Sequence, residues 1–321
     1  MRSIILAAGF GTRLLPLTGI FPKALVPIVN IPIINLQIEY LKRAGVDEAG
    51  INIHHHRDLM LSHLSTLDLG VKITTKTEDV ILDTGGGLSN FREFIGSEPD
   101  FIVYNCDILT SADPLKMLEI HRKNNSIATL VLLDNGDRSS ILVGKDGTVL
   151  DIADRLGVNP ANGSRYLYGA GIFIYKNEIF KHLPPADEPF PLIPQLMKLM
   201  QKNPGSVKSC ILEELTGNEE EKPYWRDIGS IRSYLDIHSD ILTDGKFTPP
   251  GFTKPNNGIL IGENCIIGDD VIMDGFVSTG RDSKIGSGAK ITDSVIIAGA
   301  TIPDNAEINK SIVYFDQIIK E

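Results

Sequence analysis

Two glycines and two cations near the N-terminus are the residues best suited to chemistry. In the segment LAAGFGTRL (residues 6–14), Gly9 and Gly11 follow an apolar run, Thr12 and Arg13 come next, and Lys23 stands shortly beyond in FPKALVPI (residues 21–28). Glycines in such a loop let the backbone approach a ligand closely and turn amide N–H groups toward it. Arg13 and Lys23 add fixed positive charge. A triphosphate needs both, amide donors for its oxygens and cations to balance charge as the α-phosphorus is attacked. A dinucleotide fingerprint would require a third glycine where Leu14 stands. Neither Gly144-Lys145 nor Gly245-Lys246 completes a Walker A loop.

The elements that must position this loop alternate. Residues 3–8, 49–53, 72–76, 101–105 and 128–133 read as buried strands, and residues 33–44, 59–67, 88–94 and 114–124 as helices. The fold class expected is α/β, a Rossmann-like, mainly parallel sheet with helices on both faces. Ligands in such sheets sit at the carboxyl ends of strands, here after Ala8, Lys76 and Asn105. Residues 1–245 form the expected first domain, and the Pro-, Gly- and Asn-rich residues 246–258 a linker. From residue 259 to 321 the pattern changes. Aliphatics recur every six positions at Ile261, Ile267, Met273, Ile285, Ile291 and Ile297, with Thr279 filling the gap. Cys265, Val271, Val277, Ser283, Ala289, Val295 and Thr301 lie four residues after the successive positions of that series. One aliphatic in six is the signature of a hexapeptide β-helix, with a slip in register expected near Pro303.

The 321 residues are 42% hydrophobic and 22% charged, a profile of about two globular domains, and the formal net charge of −10 argues against a nucleic-acid partner. No stretch approaches the ~18 apolar residues needed to span a bilayer. Cys106, Cys210 and Cys265 are scattered and lack metal-ligand spacing, which fits a reducing compartment. A cytoplasmic location and no membrane partner follow as expectations.

The N-terminal pattern resembles the signature of sugar-1-phosphate nucleotidyltransferases, and other segments extend the likeness across nearly the whole chain. DTGGG (residues 83–87) resembles the family's second glycine loop, Asn105-Cys106-Asp107 its metal-binding Asp segment, and WRDIG (residues 225–229) its segment with a second metal-binding Asp. A trailing left-handed hexapeptide β-helix occurs in several branches. The resemblance implies transfer of a nucleoside monophosphate from an NTP to a sugar 1-phosphate, with release of pyrophosphate. It implies Mg²⁺ on Asp107 and Asp227, catalytic roles for Arg13, Lys23 and Asp107, and nucleotide contacts from Leu6, Ala8, Gly9, Gly11, Thr12, Arg13, Gly85 and Gly86. Asn105 and Gly171 fall on the sugar-phosphate side. Many relatives carry a Glu-Lys pair before the sugar strand, whereas residues 151–155 here read DIADR, so Arg155 or Arg165 is the expected substitute. That departure disfavours glucose- and thymidylyl-type pairs. GTP with a mannose-type sugar phosphate is the expected pair, and UTP with an amino-sugar phosphate stays open.

Acyl transfer on the β-helix would want a histidine base, and none occurs after His238. A regulatory paralogue would be expected to lack the loop cations or the aspartates, all of which are present. His54-His55-His56 alternate faces if extended and so cannot converge on one ion. Glu213, Glu214, Glu219, Glu220 and Glu221 suggest a solvated loop. The β-helix is expected to be structural and assembly-forming, in a homo-oligomer.

Overall fold

The computed structural model describes residues 1–215 and 222–321, so Glu219, Glu220 and Glu221 lie outside the described residues. The chain divides into two compact units, Met1–Gly9 with Gln37–Trp225, and Phe10–Leu36 with Arg226–Glu321. This division does not follow the expected boundaries at residues 245 and 258. The glycine-loop segment after Gly9 belongs to the same unit as the C-terminal strands.

The first unit is a twisted sheet built from β1 (Arg2–Leu6), β2 (Glu48–Ile53), β3 (Lys72–Thr77), β4 (Asp100–Asn105), β5 (Ala128–Leu133), β6 (Arg165–Lys176) and β7 (Val207–Ile211). Their order is β3-β2-β1-β4-β6-β5-β7, parallel throughout except for β6, which runs antiparallel to both neighbours. The amino-terminal end of β6 also joins a small antiparallel sheet with Ile141–Val143 and Val149–Ile152. Runs such as β5, apolar but for Thr129 and buried at every residue, are what a sheet covered on both faces demands. The crossover helices Arg57–Thr66 and Pro114–Asn124 match the expected elements closely. The latter starts where Asp113 accepts the Leu115 N–H and Pro114 occupies the first turn.

One expected helix differs. Residues 88–94 are divided between Asp83–Ser89, which begins upstream among three glycines, and Arg92–Ile95. Glycine disfavours a helix by propensity, but the N–H groups of Gly85 and Gly86 donate to Phe190 O at 3.0 and 3.1 Å, so a distant segment anchors the first turn.

In the second unit, strands stack into coils. Ile259 pairs with Val277, Ile266 with Lys284 and Ile272 with Lys290, an advance of 18 residues per coil, or three sides of six. Inside lie Val277, Ile285, Ile291, Ile296, Ile302 and Ile308. The slip in register comes earlier than Pro303. Asp274 pairs with Thr292 but Val277 with Ser294, so the later strand lacks one residue, and subsequent coils advance by 17. Ala300 and Ile302 are therefore buried, while Thr301, the last member of the second six-residue series, is exposed. A hairpin, Ser311–Tyr314 with Gln317–Lys320, closes the far end. The amphipathic helix Ile231–Leu242, capped by Ser230, packs on Ile272–Thr279 and Lys290–Ile296. Among the described residues no helix is long and apolar enough to cross a membrane.

Candidate functional site

β1 lies between β2 and β4, and its last residue, Leu6, faces Asn52 on one side and Asn105 on the other. The chain order reverses at this point of the sheet, which is where ligands of open α/β sheets bind, at the carboxyl ends of the strands. Ala7 and Ala8 are buried, whereas Gly9 is exposed with open space where a Cβ would stand. Ala7 N–H donates to Asn52 Oδ1 at 2.6 Å, Asn52 Nδ2 donates to Glu78 Oε1 at 2.7 Å, and Leu82 N–H donates to Glu78 Oε2 at 2.8 Å. Asn52 and Glu78 are 4% and 3% exposed, so this relay is a buried, satisfied network that ties the first glycine segment to the second. Sequence reasoning missed both residues. Their signal was an amide in an otherwise apolar strand and an acid shortly before DTGGG.

Gly85 is glycine because of packing. An added Cβ would stand 2.5 Å from the Phe190 ring, and its amide is already committed to Phe190 O. Any contact that Gly85 and Gly86 make with a ligand is therefore left to their carbonyls and α-carbons.

At the end of β4, Asn105 and Asp107 are half-buried, and Gln37 Nε2 donates to Asn105 O at 3.1 Å and Ile108 O at 3.0 Å. Gly171 adopts φ 74, and a Cβ there would meet Ile108 Cγ1 at 2.9 Å and Asn105 Nδ2 at 3.1 Å. Only glycine accepts both that backbone and that approach, so the expected sugar-side pair Asn105 and Gly171 are neighbours. Trp225 Nε1 donates to Ala170 O at 2.9 Å, which fastens the indole to the same strand.

In the second unit, the loop runs through three short 3₁₀ turns, Thr12–Leu14, Leu17–Gly19 and Lys23–Leu25. Gly11, at φ 64, accepts the Thr18 hydroxyl on its carbonyl at 2.9 Å, and a Cβ on it would lie 2.9 Å from the Thr18 methyl and 3.3 Å from Lys23 Cβ. Thr12 and Arg13 are exposed, while Lys23 is 9% exposed. Gly229 is bordered by two charged groups, since a Cβ there would be 2.9 Å from Arg13 Nη1 and 3.0 Å from Asp227 Oδ1. A guanidinium, a carboxylate and a loop lysine are thus held in one unit by residues distant in sequence. Ser233 donates to the Asp227 carbonyl, and the Gly229 N–H donates to Asp227 Oδ1 at 3.2 Å, which orients the carboxylate.

The nucleotidyl transferase family model matches residues 2–244. The chain belongs to the nucleotidyl transferase family. Mannose-1-phosphate guanylyltransferase 1 of Arabidopsis thaliana is 28% identical over 98% of this chain and 86% of its own length. Mannose-1-phosphate guanylyltransferase of Mycobacterium tuberculosis is 22% identical over 96% and 83%. Among solved structures, HddC from Yersinia pseudotuberculosis, complexed with GMP-PN, is similar with a TM-score of 0.58 and 23% identity over 74% of this chain and 97% of that one. A putative glucose-1-phosphate thymidylyltransferase from Bacillus anthracis, in complex with a sucrose, gives a TM-score of 0.60 at 22% identity over 74% and 94%. Both share the fold.

Other expected residues of this nucleotidyl transferase have ordinary surroundings. Arg165 pairs with Glu214, Arg155 is exposed, and Glu213 Oε1 accepts the Asp134 N–H at 3.1 Å. His54 Nδ1 lies 2.8 Å from Glu78 O. Among the described residues no group of three or more His, Cys, Asp or Glu could hold a metal. A cation bound through one or two aspartates would complete its shell with phosphate oxygens and water, which is how Mg²⁺ is ordinarily held.

Proposed function

We propose that this nucleotidyl transferase moves GMP from GTP to a mannose-type sugar 1-phosphate, with Mg²⁺. The observation that carries the substrate pair is the alignment of guanylyltransferase relatives over 98% of the chain, β-helix included. A sugar-phosphate oxygen bonds to the α-phosphorus, the bond from that phosphorus to the α–β bridging oxygen breaks, and pyrophosphate leaves with the electron pair. The attacking oxygen is already anionic, so positioning and charge stabilisation suffice and no protein base is needed. Arg13 bears on the leaving pyrophosphate and Lys23 on the transferring phosphate. Leu6, Ala8, Gly9, Gly11 and Thr12 frame the nucleotide with Gly85 and Gly86, and Asn105 and Gly171 face the sugar phosphate. Asp107 and Asp227 offer carboxylate oxygens to Mg²⁺, which when bound neutralises charge on the phosphates. Cys106, Cys210 and Cys265 form no disulfide among the described residues, which supports a cytoplasmic setting.

A pyrophosphate-release screen of the four NTPs against a panel of sugar 1-phosphates tests the reading. GTP with mannose 1-phosphate is expected to give the highest kcat/KM. A preference for UTP with an amino-sugar phosphate would overturn the substrate pair, and no release with any pair would overturn the activity.

The β-helix supports a second proposal, a homo-oligomer built on its first coil. Ile261, Ile266, Ile267 and Ile272 are 41%, 62%, 41% and 56% exposed, and Ile259–Ile261 is an edge of its sheet. A contiguous apolar end of this kind favours burial against a second copy. Light scattering at micromolar concentration is expected to show a dimer or larger, and Ile266→Lys with Ile272→Lys to return a monomer. A monomeric wild-type protein would refute the assembly.

A further inference from the structure

The hairpin that follows Lys23 is held at three successive points by residues far along the chain, all in the second unit. Strands Pro27–Ile28 and Ile31–Pro32 pair antiparallel around the turn Val29-Asn30. Both turn residues have positive φ, 43 and 68. Asn tolerates that conformation, but a β-branched valine does not adopt it unaided. Something outside the turn must hold it.

Tyr234 donates its hydroxyl to Pro27 O at 2.6 Å, Val29 N–H donates to His238 Nε2 at 3.1 Å, and Asn30 Nδ2 donates to Thr279 O at 2.8 Å. Tyr234 and His238 sit one turn apart on the helix Ile231–Leu242, both fully buried, with ring centroids 4.6 Å apart. His238 Nδ1–H donates to Tyr234 O at 2.9 Å, which leaves Nε2 as the acceptor for Val29. The imidazole is thus required neutral in one tautomer, and burial pushes its pKa down to about 4. The same helix also holds the Asp227 segment. Ser233 on its first turn donates to Asp227 O, and Arg226 Nε donates to the buried Asp240 carboxylate at 2.9 Å.

We infer that His238 and Asn30, the latter through the Thr279 carbonyl on the β-helix, are positioning residues that clamp the Lys23 segment to the helix that orients Asp227. The inference rests on the reading of Lys23 and Asp227 as the groups that stabilise transferring charge. In-line transfer by preorganised charges tolerates little displacement. Pro22, Pro27 and Pro32 stiffen the segment, so a relaxation of the Val29-Asn30 turn is passed along the chain toward Lys23 and is not absorbed locally. The β-helix is on this account part of the catalytic scaffold as well as an assembly surface.

The test uses the full-length chain with Asn30→Gly, which keeps the positive φ but loses the donor, His238→Leu, which loses the acceptor, and His238→Gln, whose Oε1 can replace Nε2. Amide hydrogen exchange across residues 23–33 is expected to quicken by about 10-fold in Asn30→Gly and His238→Leu. Their kcat is expected to fall by about 10-fold with KM for the NTP nearly unchanged. His238→Gln is expected to restore both readouts. Asn30→Gly changes only an exposed side chain, so it remains informative if His238→Leu does not fold. Unchanged exchange in Asn30→Gly, faster exchange with unaltered kcat, or a His238→Gln protein as impaired as His238→Leu would each overturn the clamp. Exchange needs no turnover, so a wild-type protein that releases no pyrophosphate would end the catalytic reading while exchange alone decided the clamp.

Discussion

Asp107→Asn and Asp227→Asn are each expected to lower kcat by at least ~10²-fold while the folded structure and its melting temperature stay close to wild type. Both substitutions are near-isosteric and remove one carboxylate charge from a residue proposed to meet Mg²⁺. Asp227 is the more demanding case because its carboxylate also accepts the Gly229 N–H at 3.2 Å. Asparagine keeps an oxygen acceptor for that bond, so a loss of rate reports the charge and not a collapsed loop. Steady-state pyrophosphate release over a magnesium titration is the measurement. The two variants should need more magnesium than wild type, and the deficit should not be fully recovered at saturation. Near-normal kcat in both at ordinary magnesium would remove the two aspartates from the metal assignment.

Arg13→Ala and Lys23→Met are expected to cost ~10²-fold or more in kcat, the scale of losing one preorganised charge in the transition state. Methionine is chosen at position 23 because the lysine stem packs against Gly11, where a Cβ would lie 3.3 Å from Lys23 Cβ. It keeps most of that volume and deletes only the ammonium. Arg13 is exposed, so alanine suffices there. If charge stabilisation is the role, kcat and kcat/KM should fall together. A rise in KM for the NTP with kcat intact would make these residues uniform binders of the phosphates instead.

Much of this protein follows from local sequence pattern. β5 was delimited to the residue because six consecutive residues, apolar but for Thr129, fit an element covered on both faces. The helix Pro114–Asn124 was equally plain, since Asp113 and Pro114 state its start and residues 117, 118 and 121 its buried face. The six-residue period announced the coils, and the loop from Gly9 to Lys23 announced the family, because both are carried by residue type and spacing.

Tertiary structure decided the rest, and in each case a partner distant in sequence was the cause. The helix through Gly85–Gly87 forms against propensity because Phe190 O accepts two of its amides. The buried relay of Asn52 and Glu78 joins two loops whose separation in sequence hides the bond between them. The loss of one residue between Thr292 and Ser294, visible only in the pairing register, turned Ala300 and Ile302 inward and Thr301 out. The segment Phe10–Leu36 joined the C-terminal unit because Tyr234, His238 and Thr279 supply the hydrogen-bond partners that its turn lacks. Periodicity reports which face of an element is buried; it does not report which other element buries it.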